Sequence, residues 1–448
     1  MDWSKRWVEE FFSVAGENKG VFMPVFGCFF LVLFSYSFLR PLSQALYLTA
    51  MGSENLPHVW IISAAAMALV VWGYNKFIGF VRPLTLFAFS NVITIAFFLL
   101  FYFYFAVENK VFATTAYIVK DIYVVILIEQ LWTFCDATFS VKRAKTLYGF
   151  LAGGCSIGGI IASVMTAKMA PVMGSKNLIF IGCGALVVGV FLFAHAWHKS
   201  QESTPSKAQD SHPVTGEEAG RVSEEVVAVQ DNLEERKSRG GLGIVLKSKY
   251  LVLICLMLML SQFVTALIDL QFNQVLETEV TKLDLRTAYF GKFFAVTNVV
   301  SLILQFVISA PMLHFLGLFL TLLLVPALTG LGSFGFFFAS SMVVVFAIKT
   351  TNKSLTYSIF RSAKEILYIP LSYMEKYKGK SFIDMFIYRF SKAAIALVII
   401  GLQVVMVVTA LKINYIVMGL ILLWVLIVPV LMREYRKREA GASPQSKK

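Results

Sequence analysis

Arg40, Lys120, Lys349 and Lys353 each fall inside or at the edge of a long apolar run, and Lys378 and Lys380 lie in a charged stretch, Arg361–Lys392, wedged between two such runs. Hydrocarbon disfavours charge, so cations in these places must face water or a polar cavity. Their chemistry is anion binding, because Lys and Arg hold phosphate and carboxylate oxygens through charge-assisted hydrogen bonds. The acids are placed just as selectively. Asp269 lies in the seventh apolar run, and Asp121, Glu129 and Asp136 lie in the fourth. At about 100° per residue those three fall within roughly 80° of one another around a helix. Glu129 (the deepest), Asp136 and Asp384 are candidates for coupling or gating. An ion pair such as Asp136 with Arg143 or Lys145 is the structural alternative. Several lysines around one cavity suit an organic anion, and the charge pattern by itself does not single out a nucleotide.

These side chains need a scaffold that can hold charge inside a membrane. The chain has 448 residues, 58% of them hydrophobic and 15% charged, with a mean hydropathy of +0.72. Its apolar residues come in runs near the ~20 residues that span hydrocarbon as a helix. About twelve such spans are expected on that length criterion, centred near Leu31, Leu69, Ile95, Val125, Gly159, Val187, Met259, Val300, Leu324, Ala347, Leu397 and Leu422. The runs are too long and too uniform for barrel strands. The fold class is therefore all-α, a polytopic membrane protein.

The net charge of +13 is not spread as a nucleic-acid surface would require. Cations gather in alternate loops, whereas the loop around Glu277, Glu279 and Asp284 is acidic. That is the positive-inside pattern, which places both termini and the central loop in the cytoplasm. Five cysteines in apolar surroundings and scattered histidines offer neither a disulfide framework nor metal-ligand spacing. No cofactor and no catalytic constellation are expected, so an integral membrane enzyme or sensor is a distant alternative. The Gly153–Gly159 run lacks the lysine of a phosphate loop and follows no strand, so it reads as small residues for close helix packing. The N-terminus carries no evident cleavable signal or transit peptide, which points to a bacterial inner membrane.

The predicted organisation is a cytoplasmic segment 1–19, a six-helix half 20–198, a largely disordered linker 199–247, a second half 248–432 and a basic tail 433–448. Within the linker, Val222, Val226, Val229 and Leu233 have helical spacing. Six plus six spans around a long loop is the plan of the major facilitator architecture, built from three-helix units. The first helix of each unit, spans one, four, seven and ten, should line the cavity, and the polar residues follow that rule. Span one is expected to end at Arg40. A monomer is expected.

Three stretches resemble the ATP/ADP translocases of plastids and obligate intracellular bacteria. The first is Phe34-Ser35-Tyr36-Ser37-Phe38-Leu39-Arg40-Pro41-Leu42-Ser43-Gln44 with Leu48-Thr49-Ala50-Met51-Gly52-Ser53. The second is Trp132-Thr133-Phe134-Cys135-Asp136 with Ala144-Lys145-Thr146-Leu147-Tyr148-Gly149. The third and closest is Lys364-Glu365-Ile366-Leu367-Tyr368-Ile369-Pro370-Leu371 with Lys376-Tyr377-Lys378-Gly379-Lys380-Ser381-Phe382-Ile383-Asp384. The resemblance implies a nucleotide antiporter working by alternating access, with Arg40, Lys378 and Lys380 on the phosphates and Asp269 at a family glutamate. The chain departs from the pattern in its charges. A family lysine falls on Ser43, a family glutamate on Lys120, and a second lysine on Asn273. The alternative is the same machine moving another anion or metabolite, with protons coupled through Glu129, Asp136 or Asp269.

Overall fold

The computed structural model describes residues 19–77, 81–105, 109–139, 141–202, 241–372, 375–380 and 382–442. Twelve principal helices follow in chain order. The first six are α1 (Lys19–Met51), α2 (Leu56–Phe77), α3 (Pro83–Phe103), α4 (Lys110–Thr138), α5 (Val141–Met173) and α6 (Leu178–Glu202). The second six are α7 (Lys249–Glu279), α8 (Leu283–Ile303), α9 (Ser309–Phe336, interrupted at Gly317), α10 (Met342–Leu355), α11 (Tyr388–Val405) and α12 (Ala410–Ala442). Every expected span centre falls in its own helix. Among the described residues, ten helices are long and apolar enough to cross a membrane. The other two are α10, which carries Lys349 and Lys353 and continues through looser turns to Leu367, and α11, whose apolar part is Phe390–Val405.

Helices satisfy their own backbone, which is what hydrocarbon demands. Association then depends on close packing, and small residues supply it. A Cβ on Gly158 of α5 would overlap the Phe30 carbonyl of α1, and one on Gly154 would sit 3.0 Å from the Phe26 ring. The Gly153–Gly159 run is thus a helix-packing surface. Across the halves, a Cβ on Gly291 of α8 would lie 2.8 Å from the Ala167 nitrogen of α5, so these backbones nearly touch. The pairs α5/α8, α1/α8 and α2/α11 form the main seams between the six-helix halves. Large apolar side chains on α3 (Phe89, Val92, Leu100), α6 (Phe191), α9 (Leu331, Phe334) and α12 (Leu422, Leu426) stay exposed, as lipid-facing helices should.

Arg40 is not the end of span one: α1 runs eleven residues beyond it. Pro41 has no N–H to close the i→i−4 bond, so the Ser37 carbonyl is freed. Thr166 of α5 donates its hydroxyl to that oxygen (3.1 Å) and to Ala162 O (2.8 Å). A partner from another helix lets α1 continue through the proline and carries Arg40 deep into the bundle.

The linker's candidate helix around Val222–Leu233 lies outside the described residues. On either side of it, α6 extends to Glu202 and a short helix covers Gly241–Lys247. The tail is helical to Ala442 and folds back on the α10–α11 hairpin. There Arg438 Nη1 donates to both oxygens of Glu375 (3.0 and 2.8 Å), and its Nη2 donates to Ser248, the N-cap of α7 (2.9 Å). Burial disfavours the Glu375 carboxylate, but the bonds from Arg438 and the Ser372 backbone outweigh that and hold its pKa below the usual value. A depressed folded-state pKa adds stability above the ordinary carboxylate range near pH ~4.3, and that stability is lost as acid protonates the group. Wild type should therefore melt above Glu375→Gln at pH 7, with the gap closing below about pH 4. Thermal melts of the detergent-purified pair at several pH values check this.

Candidate anion-binding cavity

Lys-, Arg- and Glu-rich connections such as Arg82, Lys364 and Arg438 mark one end of the bundle, the basic face. The loop with Glu277, Glu279 and Asp284 marks the opposite, acidic face. Between them lies a compact central cavity of about 200 Å³. Its walls come from α1 (Arg40, Gln44), α4 (Tyr117, Lys120, Asp121), α7 (Gln262, Thr265, Asp269, Asn273) and α10 (Lys349, Lys353), as the three-helix-unit rule anticipates. Trp60 of α2, Phe294 of α8 and Lys392 of α11 complete it, with Tyr357 just beyond α10.

Five cations and two carboxylates face one another here, a formal excess of three positive charges. Two local motifs hold them. Lys349 and Lys353 are four apart on α10, hence on one face, and both ammonium groups lie 3.4 Å from Asp269 Oδ1. In the other half, Lys120 pairs with its chain neighbour Asp121 (Oδ2, 2.7 Å), while Tyr36 Oη donates to Asp121 Oδ1 at 3.1 Å. Lys120 is 1% exposed and Lys349 4%, so neither is a surface lysine.

Buried cations need more than one acid, and aromatic faces supply the rest. Lys349 lies 3.7 Å from the Phe272 ring centroid and 4.4 Å from that of Phe293. Lys120 sits 3.8 Å over Tyr117, and the Arg40 guanidinium 3.9 Å over Phe294. Lys392 sits 4.9 Å over Trp60 across the α2–α11 seam. Not every polar group is saturated. Arg40 Nε, Gln44 Oε1 and Asp269 Oδ1 have no hydrogen-bond partner of good geometry among the described residues. The arrangement can bind a polyanion by ion pairing, with the unused Arg40 Nε–H donor and aromatic walls at hand.

Of the residues singled out in the sequence, Arg40, Lys120, Asp269, Lys349 and Lys353 converge in this cavity. Lys380 lies elsewhere, in the α10–α11 hairpin, where it pairs with Glu365 at 2.7 Å. Asp384 accepts from Lys364 at 2.8 Å and from Tyr368 Oη at 3.4 Å in the same hairpin. The Lys378 side chain lies outside the described residues, although its backbone is placed in the turn Glu375–Lys380. Glu129 and Asp136 are exposed, further along α4 toward the basic face. Asp136 accepts from Tyr148 Oη at 2.5 Å. Lys392 was missed, because it immediately precedes an apolar run and so reads as the last cation of a loop.

Two halves of six helices around a central charged cavity define a secondary transporter. Solved structures with this fold include the POT family transporter PepTSo (TM-score 0.60, 13% identity, 93% of this chain and 98% of that one). A peptide transporter POT in complex with sulfate matches likewise (TM-score 0.61, 15% identity, 94% and 95%). The chain belongs to the TLC ATP/ADP transporter family, whose profile matches residues 106–435. It is similar to ADP,ATP carrier protein 1 of Chlamydia pneumoniae, 22% identical over 453 aligned residues that cover 86% of this chain and 84% of the relative. The protein of the same name from Chlamydia trachomatis serovar D is 23% identical, with 86% and 82% covered.

Proposed function

We propose that this protein exchanges ATP and ADP across a bacterial inner membrane, with the basic face and both termini in the cytoplasm and the monomer as the working unit. The observation that carries the substrate claim is the convergence of Arg40, Lys120, Lys349, Lys353 and Lys392 on one cavity, where their excess of three positive charges over Asp121 and Asp269 matches a polyphosphate. Asp269 and Asp121 are place-holders in this reading. They keep the lysines charged and oriented while the site is empty, and phosphate oxygens take over when the nucleotide enters. Trp60, Tyr117 and Phe294 offer ring faces to the base. Lys378 and Lys380 attract nucleotide at the cytoplasmic mouth, and Asp384 orders their hairpin through Lys364. Glu129 and Asp136 flank the path from that mouth.

Alternating access follows from the architecture: the halves rock about the central site and expose it to each side in turn. The test is uptake of labelled ATP into proteoliposomes holding the purified protein, with and without internal ADP. Uptake that requires internal nucleotide is expected. Folded protein that moves no nucleotide would sink the substrate claim and leave the transporter standing. The second reading, exchange of a different organic anion, is favoured by the departures at Ser43, Lys120 and Asn273, and the same liposomes test it by competition.

A further inference from the structure

The cavity leaves the acidic loop between α7 and α8 unexplained. Two connections at that face are built alike. After α1 the chain reads Gly52-Ser53-Glu54-Asn55, and after α5 it reads Gly174-Ser175-Lys176-Asn177. Both glycines have positive φ (78° and 81°), both start a tight turn leading into the next helix, and both asparagines donate back to the helix just ended. Asn55 bonds Met51 O and Asn177 bonds Met173 O. Such turns present backbone N–H groups without intrahelical partners. Each is met by a carboxylate from the other half. The Ser53 N–H donates to Glu277 Oε2 at 2.8 Å, and the Ser175 N–H donates to Asp284 Oδ1 at 2.7 Å. A negative charge at the start of a helix is the favourable sign.

Arg286 braces the α7–α8 junction, at whose two helix ends the acids sit. Its Nε donates to Val280 O (2.6 Å), its Nη2 to Glu277 O (2.9 Å), and its Nη1 reaches Thr49 of α1 (2.9 Å). With Gln403 donating to Glu54 O at 2.9 Å, these are the hydrogen bonds that join the halves in the described residues, and all lie at the acidic face. An apolar weld would resist opening, whereas a carboxylate on a backbone N–H can exchange its partner for water at modest cost.

We infer that Glu277 and Asp284 are the gating carboxylates of this transporter: they hold its acidic face shut by capping the two Gly-Ser-x-Asn turns, and release of both caps opens the cavity to that side. Gly52 is fitted to this contact, since a Cβ there would lie 3.1 Å from Glu277 Oε1. The inference rests on the alternating-access reading and is independent of which anion is carried.

The test is the distance between spin labels at Glu54→Cys and Lys282→Cys, one on each side of the gate, by double electron–electron resonance. The five native cysteines are replaced, and a Glu54→Cys/Lys110→Cys pair within one half serves as the fold control. Adding Glu277→Ala with Asp284→Ala should raise the long-to-short population ratio by about tenfold or more, since each lost charge-assisted bond is worth that order. An unchanged ratio with an intact control distance overturns the inference. If the alanine pair does not fold, Glu277→Gln with Asp284→Asn keeps shape and removes charge, and should give a smaller rise in the same direction. No rise there overturns it equally. In the unmodified gate, a distance that never changes, with or without ATP, rejects alternating access itself. A distance that changes with ATP but ignores the carboxylates rejects only the gate.

Discussion

Lys349→Ala combined with Lys353→Ala should lower nucleotide exchange by about 10²–10⁴-fold, the largest functional effect expected of any pair in the cavity. A hydrogen bond to a charged group is worth about 1.5–3 kcal/mol, and each 1.4 kcal/mol is tenfold. Both ammonium groups are directed at Asp269, so both can pass to phosphate oxygens together. The double change also strands Asp269, and an uncompensated buried charge costs about 3–5 kcal/mol. Loss of transport alone would therefore not separate binding from stability. Adding Asp269→Asn removes the stranded charge and should restore the melting temperature without restoring exchange. Recovery of exchange in that triple variant would refute the role given to the lysines. Proteoliposome exchange and thermal melting on the same preparations decide it.

Gly158→Ala should prevent accumulation of folded protein, the largest structural effect expected of a single methyl group here. The added Cβ would overlap the Phe30 carbonyl, and no rotamer change relieves a clash with backbone. Overpacking typically costs about 1–3 kcal/mol where side chains can shift, and more where they cannot. The helices α1 and α5 would have to part, and α1 carries Arg40 while α5 carries the Ala167 contact with Gly291. Gly153→Ala, five residues earlier with nothing within 4 Å of its Cβ, is the control and should be tolerated. Size-exclusion profiles and melting curves of the two variants make the comparison. Equal behaviour would refute the claim that the α1–α5 contact sets the geometry.

The span positions were legible because hydrocarbon imposes a length and a composition on any helix that crosses it. The cavity helices were legible for a related reason: Lys120, Asp269, Lys349 and Lys353 are costly inside a bilayer and had to share a polar interior. What escaped depends on distant partners. Arg40 looked like the end of a helix because Pro41 follows it, and the hydroxyl that lets α1 continue belongs to Thr166, 129 residues from Ser37. Lys392 looked like a loop cation because the aromatic face beneath it, Trp60, belongs to the other half. The acids of the α7–α8 loop were visible, but the turns they cap lie 224 and 109 residues away. Local pattern carries no information on such pairings, and Lys380 with Glu365 is no different, since their meeting requires the hairpin to be folded.

The charge surplus in the cavity has an electrical consequence. Moving one elementary charge through a 100 mV potential is worth about 2.3 kcal/mol. An unloaded site with three surplus positive charges that swung between the faces would feel the membrane voltage strongly, and it would also have to pass through a closed, poorly solvated state with those charges unneutralised. A trivalent anion cancels the surplus and makes the same swing nearly voltage-blind. The resting potential would thus hold the vacant protein toward one side and let the loaded one move, so that the electric field itself suppresses futile empty cycles.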